Sequence, residues 1–555
     1  MSVKHGPRRR SFFTILLNGS QVALEENVTG FDGVIIGGGH NGLTCAAYLA
    51  RAGLSIAVVE RNDEAGGGCS TQELTLPGFR HNTHSSYHFL EEGPVPADLE
   101  LQRYGLRYVY PETQHSTIFR DGRAITVYTD PKRTAESFAR FSRADADRWL
   151  ELYERYAEAA RDLMNGFLYS RPLPPPVLAE RLQGDLGRDL LSYMPLSLYE
   201  AVDRNFESEQ VRVLFKSFLH AISIENVPGT GGFLPRLLSR IARLGVPVGG
   251  AVNVANALRG VIEEHGGIVV TGAHAERILV DDGRAVGVRL ATGDVLSARR
   301  FVASAVDAPQ TVRLAGPENF GADVAAKVED YKWAGHSLVT LHLALDEAPR
   351  YLAAEFEPDV DRAFLVVLGA DDSEQLGRTF DQIHQGRLPD RLAGNGACPS
   401  LFDPSYAPDG KHVAFWWPWA PYDLGGDAGN WDRQREEVGE RLLAEWSEYA
   451  PNLARGAVLG KRVFSPLDIE RHCVNMVRGS HHVGAYEPAQ LGGNRPVPEL
   501  GQYRTPITGL YLCGASSHPG GSVSGAPGYN GANAIAEDLG LNTWWTPVPA
   551  PRWSA

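Results

Sequence analysis

Near the start of the chain, the pattern of apolar and polar residues changes from a continuous apolar run to a helical spacing and then back to a continuous apolar run. Val34–Ile36 is a continuous apolar run, and Ile56–Val59 is a second one. Between the two runs, apolar residues recur at the spacing of one helix face, up to Gly53. Short continuous apolar runs are typical of strands buried on both faces, as in parallel sheets. The pattern therefore predicts a strand, a helix and a second strand, which is the beginning of an α/β fold.

The same two periods recur along the rest of the chain. Helical spacing is clearest at residues 148–163, 252–262 and 532–539. Short apolar or alternating runs predict further strands at residues 268–270, 275–280, 286–290, 300–304, 337–345, 412–417 and 509–514. Because helical and strand patterns alternate over most of the chain, we expect an α/β protein with more than one sheet.

Two apolar runs flank Asn18-Gly19 near the N-terminus. The runs are Phe12–Leu17 and Val22–Leu24, and Asn-Gly between such runs is the strongest short hairpin signal. We therefore expect a β-hairpin arm at residues 11–25 that packs on the same chain or on a neighbouring subunit of a homo-oligomer. A disordered leader is the alternative. Arg8–Arg10 resembles an export signal, but the apolar stretch after it is too short for one.

A glycine motif, Gly37-x-Gly39-x-x-Gly42, directly follows the first predicted strand. Gly37 permits a tight turn, Gly39 lets the backbone approach a pyrophosphate, and Gly42 lets the helix lie close to the sheet. The helix N-terminus presents N–H groups and a partial positive charge to an anion. Glu60 follows the second strand, where a carboxylate accepts both hydroxyls of an adenosine ribose. This order predicts a dinucleotide site; a glycine-rich turn without a ligand is the alternative.

A second glycine cluster, at residues 66–68, closely follows Glu60 and Arg61. It resembles the cluster of two-dinucleotide-binding flavoproteins, in which it lies along FAD. Near the other end of the chain, the strand at 509–514 leads into His518-Pro-Gly-Gly-Ser-Val-Ser-Gly525 and a helical stretch. In such flavoproteins that helix faces the flavin ring and stabilises negative charge on the reduced flavin.

Both ends of the chain resemble the phytoene-desaturase-like FAD-dependent oxidoreductases. That family includes carotenoid desaturases and ketolases, retinol saturases and the pyridine nucleotide-disulfide oxidoreductase domain-containing protein 2 group. The motifs that carry the resemblance are Gly39-His40-Asn41-Gly42-Leu43, Asp403-Pro-Ser-Tyr-Ala-Pro-Asp-Gly410 and the His518–Gly525 stretch. The order of elements matches over about residues 31–540. The family is catalytically diverse, so the resemblance leaves the substrate open.

The resemblance implies a two-dinucleotide-binding, Rossmann-like FAD domain, a mixed-sheet substrate domain and a helical insertion. The domains are then an arm at 1–29, a discontinuous FAD domain at 30–100, 245–315 and 490–545, a helical substrate or cap region at 101–244, and a mixed α/β substrate domain at 316–489. The FAD is expected to be non-covalent, because the sequence offers no convincing tether. A backbone amide near Ala275 would contact the adenine edge. The residues expected to contact FAD are Gly37, Gly39, His40, Asn41, Gly42, Glu60, Arg61, Gly67, Gly68, Ala275, Gly514, Gly525, Tyr529 and Asn530.

Net charge, cysteine pattern and the length of the apolar runs limit which partners and which compartment we expect for the protein. The net charge of −14 argues against general nucleic-acid binding, which needs Lys and Arg at the phosphates. The five cysteines form no CxxC, which argues against a disulfide scaffold or a zinc site and suits a reducing, cytoplasmic compartment. No apolar run reaches the length that spans a bilayer. Amphipathic stretches with basic edges at 190–198 and 233–243 predict either peripheral membrane contact or ordinary helix packing.

Hydride transfer from carbon to a flavin requires an apolar slot at flavin N5 and, in some reactions, a base. The segment after the second glycine cluster carries His84, Tyr87 and His88, our candidate catalytic residues. If it is extended, His84 and His88 share one face and Tyr87 lies on the other. Histidines far along the chain, such as His481 and His482, are expected to lie elsewhere. A structural hydrogen-bond role for the candidates, with proton loss to water, is the alternative.

Together these features predict an FAD-dependent oxidoreductase that introduces a C=C bond by dehydrogenating a lipophilic or cyclic organic substrate, with hydride passed to flavin N5. Oxygen or a quinone is the expected electron acceptor, because the sequence has no second intact GxGxxG for a nicotinamide cofactor. The alternative within enzymes is a saturase or carotenoid ketolase on the same scaffold. The alternative from another class is a flavin-holding, partner-binding protein without turnover.

Overall fold

Two large sheets organise the protein, whose computed structural model describes residues 12–17, 20–25, 30–157, 159–238 and 240–551. The strands are β1 (Phe12–Leu17), β2 (Ser20–Glu25), β3 (Gly30–Ile36), β4 (Ile56–Val59), β5 (Thr71–Gln72), β6 (His81–Asn82), β7 (Tyr108–Val109), β8 (Thr113–Ile118), β9 (Ala124–Tyr128), β10 (Val246–Pro247), β11 (Ile268–Val270), β12 (Ala275–Asp281), β13 (Arg284–Leu290), β14 (Val295–Ser304), β15 (Ser337–Leu338), β16 (Thr340–Leu345), β17 (Leu365–Leu368), β18 (Gly394–Ala397), β19 (His412–Ala420), β20 (Val458–Phe464) and β21 (Leu510–Leu512).

Helices cover both sheets and fill the region between β9 and β10. They are α1 (His40–Arg51), α2 (Val95–Asp98), α3 (Pro131–Ala139), α4 (Arg143–Ala157), α5 (Ala159–Leu168), α6 (Pro175–Arg181), α7 (Gly184–Tyr193), α8 (Leu198–Asp203), α9 (Glu209–Ala221), α10 (Phe233–Leu238), α11 (Val252–Glu264), α12 (Ala308–Ala315), α13 (Ala322–Glu329), α14 (Ser373–His384), α15 (Asn430–Tyr449), α16 (Pro466–His472) and α17 (Ala526–Asp538).

The first sheet joins strands from three separate stretches of the chain. Its order is β11-β4-β3-β14-β13-β12, and β21 pairs with the end of β14. The strands β11, β4, β3, β14 and β21 are parallel, whereas β13 and β12 form an antiparallel extension. The register aligns Ile36 with Val59 on one side and with Ser304 on the other. The carboxyl ends of the parallel strands therefore meet at one edge, where open α/β sheets bind ligands.

Helix α1 lies at the centre of the helical layer on this sheet. Its residues from Asn41 to Ala50 are all buried, because the sheet covers one side and helices α11 and α17 pack on the others. Helix α17 approaches α1 at main-chain distance, since a Cβ atom on Gly528 would lie 2.0 Å from the carbonyl oxygen of Asn41. This contact brings the first glycine motif and the C-terminal motif of the chain together.

The second sheet is mixed and has the order β20-β16-β19-β18-β17-β8-β9, with β15 paired to β19. The pair β17 and β8 is parallel and the other pairs are antiparallel. One face packs on the helices between β9 and β10, and the other face packs on α15. The predicted fold class, an α/β protein with a dinucleotide-type sheet and a mixed second sheet, is confirmed.

Two element boundaries differ from the prediction. Residues 101–244 are not purely helical, because β8 and β9 add two strands to the second sheet. The β8 sequence is Thr-Gln-His-Ser-Thr-Ile, which is fully buried although it is mostly polar, so it gives no apolar signal. Helix α17 begins at Ala526 and not near residue 532. Gly525, in the left-handed region, precedes it, and Pro527 suits a first helical turn.

The N-terminal strands β1 and β2 pair antiparallel, with Leu17 opposite Ser20. The predicted turn residues Asn18 and Gly19 lie outside the described residues, as does the arginine cluster at residues 8–10. Packing of this arm on a neighbouring subunit stays a prediction.

The two stretches proposed for membrane contact differ in their burial. Leu234, Leu237 and Leu238 in α10 are buried in the core of the helical region, so the 233–243 stretch packs internally. In the 190–198 stretch, Met194 is 50% exposed, and membrane contact there stays a prediction. Within the described parts of the chain, no helix has the length and apolar composition to cross a bilayer.

Replacing Gly528 with Ala should destabilise the protein. The new methyl group would meet the Asn41 carbonyl, a main-chain atom that cannot rotate away. We expect a loss of about 1–3 kcal/mol in the free energy of unfolding, the range for overpacked cores, measured by denaturant titration.

Gly377→Ala is the matched control. Gly377 lies inside α14, where an added Cβ has no neighbour within 4 Å. Alanine there should leave stability unchanged or raise it by about 0.5–1 kcal/mol. Equal effects of the two substitutions would show that the contact between α1 and α17 tolerates a side chain.

Candidate dinucleotide and substrate site

A cavity of about 680 Å³ opens at the edge where the parallel strands of the first sheet end. Its walls come from the first glycine motif, from the beginning of β12, from residues 84–87 and Phe89, from the segment 470–483 and from the C-terminal motif. Leu338 and Trp417 of the second sheet complete the wall. One cavity therefore contacts both sheets and both ends of the chain.

The first glycine motif forms a backbone cradle in this cavity. Helix α1 begins at His40 without a side-chain cap, so N–H groups of its first turn have no helical partner. A Cβ on Gly39 would have main-chain atoms of Gly66 and Gly67 at 4.0 Å, so the two glycine clusters face each other closely. The buried Oδ1 of Asn41 accepts no hydrogen bond from the described residues. The free N–H groups of α1 and the narrow cradle fit a diphosphate, whereas the Asn41 oxygen is an acceptor that fits a hydroxyl or N–H group of a ligand.

Glu60 lies in the cavity wall and is only 7% exposed. Its Oε2 accepts from the Gly38 amide at 2.8 Å, and its Oε1 accepts from the Asn62 amide at 2.8 Å. Burial raises the pKa of Glu60, and the amide bonds oppose that rise. Each carboxylate oxygen keeps a second acceptor position, which fits the two hydroxyls of a ribose. Arg61 and Ala275 line the same end, where the Ala273 amide donates to the Glu60 carbonyl at 2.7 Å.

Another part of the cavity wall is apolar and includes His84. His84 lines the cavity, and its Nε2 lies 2.7 Å from Nδ1 of His472. Burial, followed by the nearby rings of His472 and His481, lowers the pKa of His84 well below its usual value. His84 is therefore neutral at neutral pH and able to accept a proton. Apolar residues of the cavity wall include Tyr87, Phe89, Leu338, Trp417, Met476, Val477, Val483 and Val523.

The expected arrangement of the three catalytic candidates is wrong. His84 and Tyr87 both line the cavity, whereas His88 does not. The segment is bent, and His88 pairs its main chain with Gly245 in an isolated bridge. Its ring binds the Tyr108 hydroxyl at 2.9 Å. Burial lowers the pKa of His88 to about 3, so His88 is a neutral structural residue.

Two histidines that were expected to lie elsewhere, His481 and His482, are in the cavity wall. The Ser223 hydroxyl lies 3.0 Å from Nε2 of His481 and 3.0 Å from Nδ1 of His482. Burial lowers the pKa of His481 to about 3. These contacts orient both rings.

The C-terminal cofactor candidates are only partly placed as expected. Gly521, Ser522 and Val523 line the cavity, but four predicted contacts lie behind it. These four are Gly514, Gly525, Tyr529 and Asn530. Because α17 begins at Ala526, Tyr529 and Asn530 lie on the helix face that packs against the rest of the protein. Tyr529 contacts Tyr48 edge to face, and Asn530 donates to the Leu168 carbonyl at 2.8 Å. Gly514 packs on the main chain of Ala305.

The other predicted contacts do line the cavity: Gly37, Gly39, His40, Asn41, Gly42, Glu60, Arg61, Gly67, Gly68 and Ala275. The His40 ring also lies 3.1 Å from the Ser522 carbonyl, so it ties the two motifs together. Sequence reasoning missed Met476, Asn475 and their neighbours in the 470–483 segment. That segment has no periodicity and no known motif, so only its place in the fold identifies it.

The comparisons with known proteins agree with this geometry. A family profile described as an NAD(P)-binding Rossmann-like domain matches residues 35–97. One of the subunits of limonene dehydrogenase from Castellaniella defragrans is 32% identical over 537 residues, which cover 93% of this chain and 96% of that protein. Pyridine nucleotide-disulfide oxidoreductase domain-containing protein 2 of Rattus norvegicus is 29% identical and covers 92% of this chain and 94% of its own.

Solved structures show the same fold at lower identity. An oxidoreductase from Methanosarcina mazei superposes with a TM-score of 0.60 at 18% identity, over 91% of this chain and 99% of that one. Phytoene and carotenoid desaturases also align with about nine-tenths of this chain. The predicted resemblance is confirmed, and the chain belongs to the phytoene-desaturase-like family of FAD-dependent oxidoreductases.

Proposed function

We propose that this protein binds FAD non-covalently and removes two hydrogens from a compact, apolar, cyclic organic substrate. The observation that supports this proposal most strongly is that the glycine cradle and the apolar residues with His84 line a single cavity. A relative that is 32% identical is named for limonene, a compact cyclic hydrocarbon, which supports the substrate class. Oxygen or a quinone is the proposed electron acceptor.

Bound FAD would supply the hydride acceptor. Residues of the cavity wall would hold it: the first turn of α1 would bind the diphosphate, Glu60 would accept from the ribose hydroxyls, and Ala275 would border the adenine. At the other end, the aromatic and aliphatic wall around Tyr87 and Trp417 excludes water and orients an apolar substrate.

His84 would take the proton that leaves the carbon next to the hydride donor. In the tautomer whose Nε2–H donates to Nδ1 of His472, the Nδ1 of His84 is an acceptor. His472 is partly exposed, and its own Nε2 lies 3.2 Å from the Gln72 side-chain nitrogen. In this tautomer His472 carries its proton on Nε2, so the Gln72 amide must turn its oxygen toward that N–H. A proton taken up by His84 can therefore pass to His472 and leave at the surface.

Anaerobic mixing tests the function directly. Purified protein, with its bound FAD monitored by absorbance, is mixed with monocyclic terpene hydrocarbons and, separately, with a long linear polyene in detergent. We expect loss of flavin absorbance with a cyclic compound, and a product two hydrogens lighter by mass spectrometry. Loss with the polyene alone would favour a carotenoid enzyme. No loss with any compound, in protein that dithionite still reduces, would favour a flavin-holding protein without turnover.

Glu60→Gln should weaken FAD binding. The amide keeps the shape of the side chain but removes the charge that strengthens the ribose hydrogen bonds. We expect a loss of about 1.5–3 kcal/mol, on the order of ten- to a hundred-fold in Kd, measured by reconstituting apoprotein with FAD. Glu64→Gln is the control, because Glu64 is exposed and is not in the cavity wall. Equal affinities would assign Glu60 another role.

His84→Ala should slow flavin reduction by a confirmed substrate about 10²–10⁴-fold and leave the flavin spectrum unchanged. Tyr87→Phe should have a smaller effect, since the chamber keeps its shape. His384→Ala is the control, because that side chain is 47% exposed at the end of α14. Parent rates in the His84 variant would mean that the proton goes directly to solvent.

The pH dependence of reduction follows from the same group. The base must be deprotonated, and the pKa of His84 is lowered well below 6.5. The rate should therefore stay constant as the pH falls from neutral through 6.5 and should decline only at more acidic pH. A decline centred near 6.5 would assign the proton to an unshifted histidine.

A further inference from the structure

Arg495 is a fully buried guanidinium, with 0% of its surface exposed. Its nitrogens donate to four main-chain carbonyl oxygens: Ala485 at 3.0 Å, Val483 at 2.8 Å, His482 at 3.3 Å and Ala515 at 3.1 Å. The rings of Tyr486 and Tyr331 flank it at 5.0 and 5.9 Å. Among the described residues, its partners include no carboxylate. Carbonyls and aromatic rings therefore surround the charge without neutralising it.

A buried charge of this kind is costly. Carbonyl dipoles replace part of the lost hydration, but a buried cation is normally paired with an anion. The buried carboxylate that shares Tyr331 with Arg495 as an electrostatic neighbour is Asp307. That carboxylate already accepts from the Gln310 amide at 2.8 Å. Among the described residues, no ion pair joins Arg495 to Asp307 or to another carboxylate, so its positive charge can act on an anion bound in the cavity.

The position of Arg495 indicates which anion this is. Three of its carbonyl partners belong to His482, Val483 and Ala515, and all three residues line the cavity. The guanidinium therefore lies directly behind this part of the cavity wall. The same wall contains Gly521–Val523 of the C-terminal motif, which precedes the helix that faces the flavin ring in such flavoproteins.

We propose that Arg495 is a positioning residue that raises the reduction potential of the flavin through this wall. The inference rests on the proposed binding of FAD. Hydride transfer breaks the substrate C–H bond, forms an N5–H bond and moves two electrons to a neutral ring, which leaves one negative charge on it. A fixed cation behind the wall stabilises that charge in surroundings of low dielectric constant. Arg495 thereby makes the flavin a stronger oxidant for an unactivated C–H bond.

The test measures the midpoint potential of the bound flavin by equilibration with a reference dye, which needs no substrate. Arg495→Gln keeps amide donors for the carbonyls but removes the charge, whereas Arg495→Lys keeps the charge with fewer donors. We expect the Gln variant to lower the equilibrium constant for reduction at least about tenfold, which is about 30 mV for a two-electron couple. The Lys variant should stay within about threefold of the parent.

Arg504→Gln is the control for loss of an arginine charge, because Arg504 pairs with Glu537 and Asp538 at the surface. It should leave the potential unchanged. Equal shifts in the Gln and Lys variants of Arg495, together with lower melting temperatures, would show a purely structural role and overturn the proposal. An unchanged potential in the Gln variant would also overturn it.

If the Arg495→Gln variant does not fold, a measurement on the parent protein can test whether a fixed positive charge lies near the flavin. Sulfite adds to N5 of oxidised flavins and forms an anionic adduct, which a nearby fixed cation stabilises. We expect millimolar sulfite to bleach the bound flavin reversibly; no bleaching would overturn the proposal. Purified protein that contains no FAD and cannot be reconstituted would instead refute the proposed function, so the two failures are distinguishable.

Discussion

The main-chain contact between α1 and α17 is the constraint on which the site depends. Because Gly528 has no side chain, α17 reaches the carbonyl of Asn41, and residues almost five hundred positions apart form one wall. The same approach places Ser522 next to the His40 ring. Without it, the diphosphate cradle and the C-terminal motif would not border a common cavity.

In the proposed division of that cavity, the cofactor end and the substrate end differ in their electrostatics. One end offers helix N–H groups and the Glu60 carboxylate, which suit a charged and hydroxylated ligand. The other end is apolar, and burial keeps His84 and His481 uncharged. Arg495 adds a positive charge that no described carboxylate neutralises. This arrangement suits a reaction in which a neutral substrate loses hydride and a negative charge develops on the cofactor.

Much of the fold and of the dinucleotide end could be predicted, because neighbouring residues determine them. A strand, three spaced glycines, a helix and an acid specify their own geometry, and Gly37–Gly42 and Glu60 lie where that motif requires. The histidine end could not be predicted in the same way. His472 reaches His84 across almost four hundred residues, and the pairing depends on how β20 and α16 join the second sheet. The inward turn of Tyr529 likewise follows from helix packing and has no local sequence signal.

A crystal structure of the purified protein with FAD would test the shared cavity most directly. We expect the diphosphate at the first turn of α1, the ribose hydroxyls on Glu60, and the flavin ring between His84 and the Gly521–Val523 wall, with no covalent bond to the chain. A ring bound away from His84, or FAD bound outside this cavity, would contradict the proposed division of the cavity into a cofactor end and a substrate end.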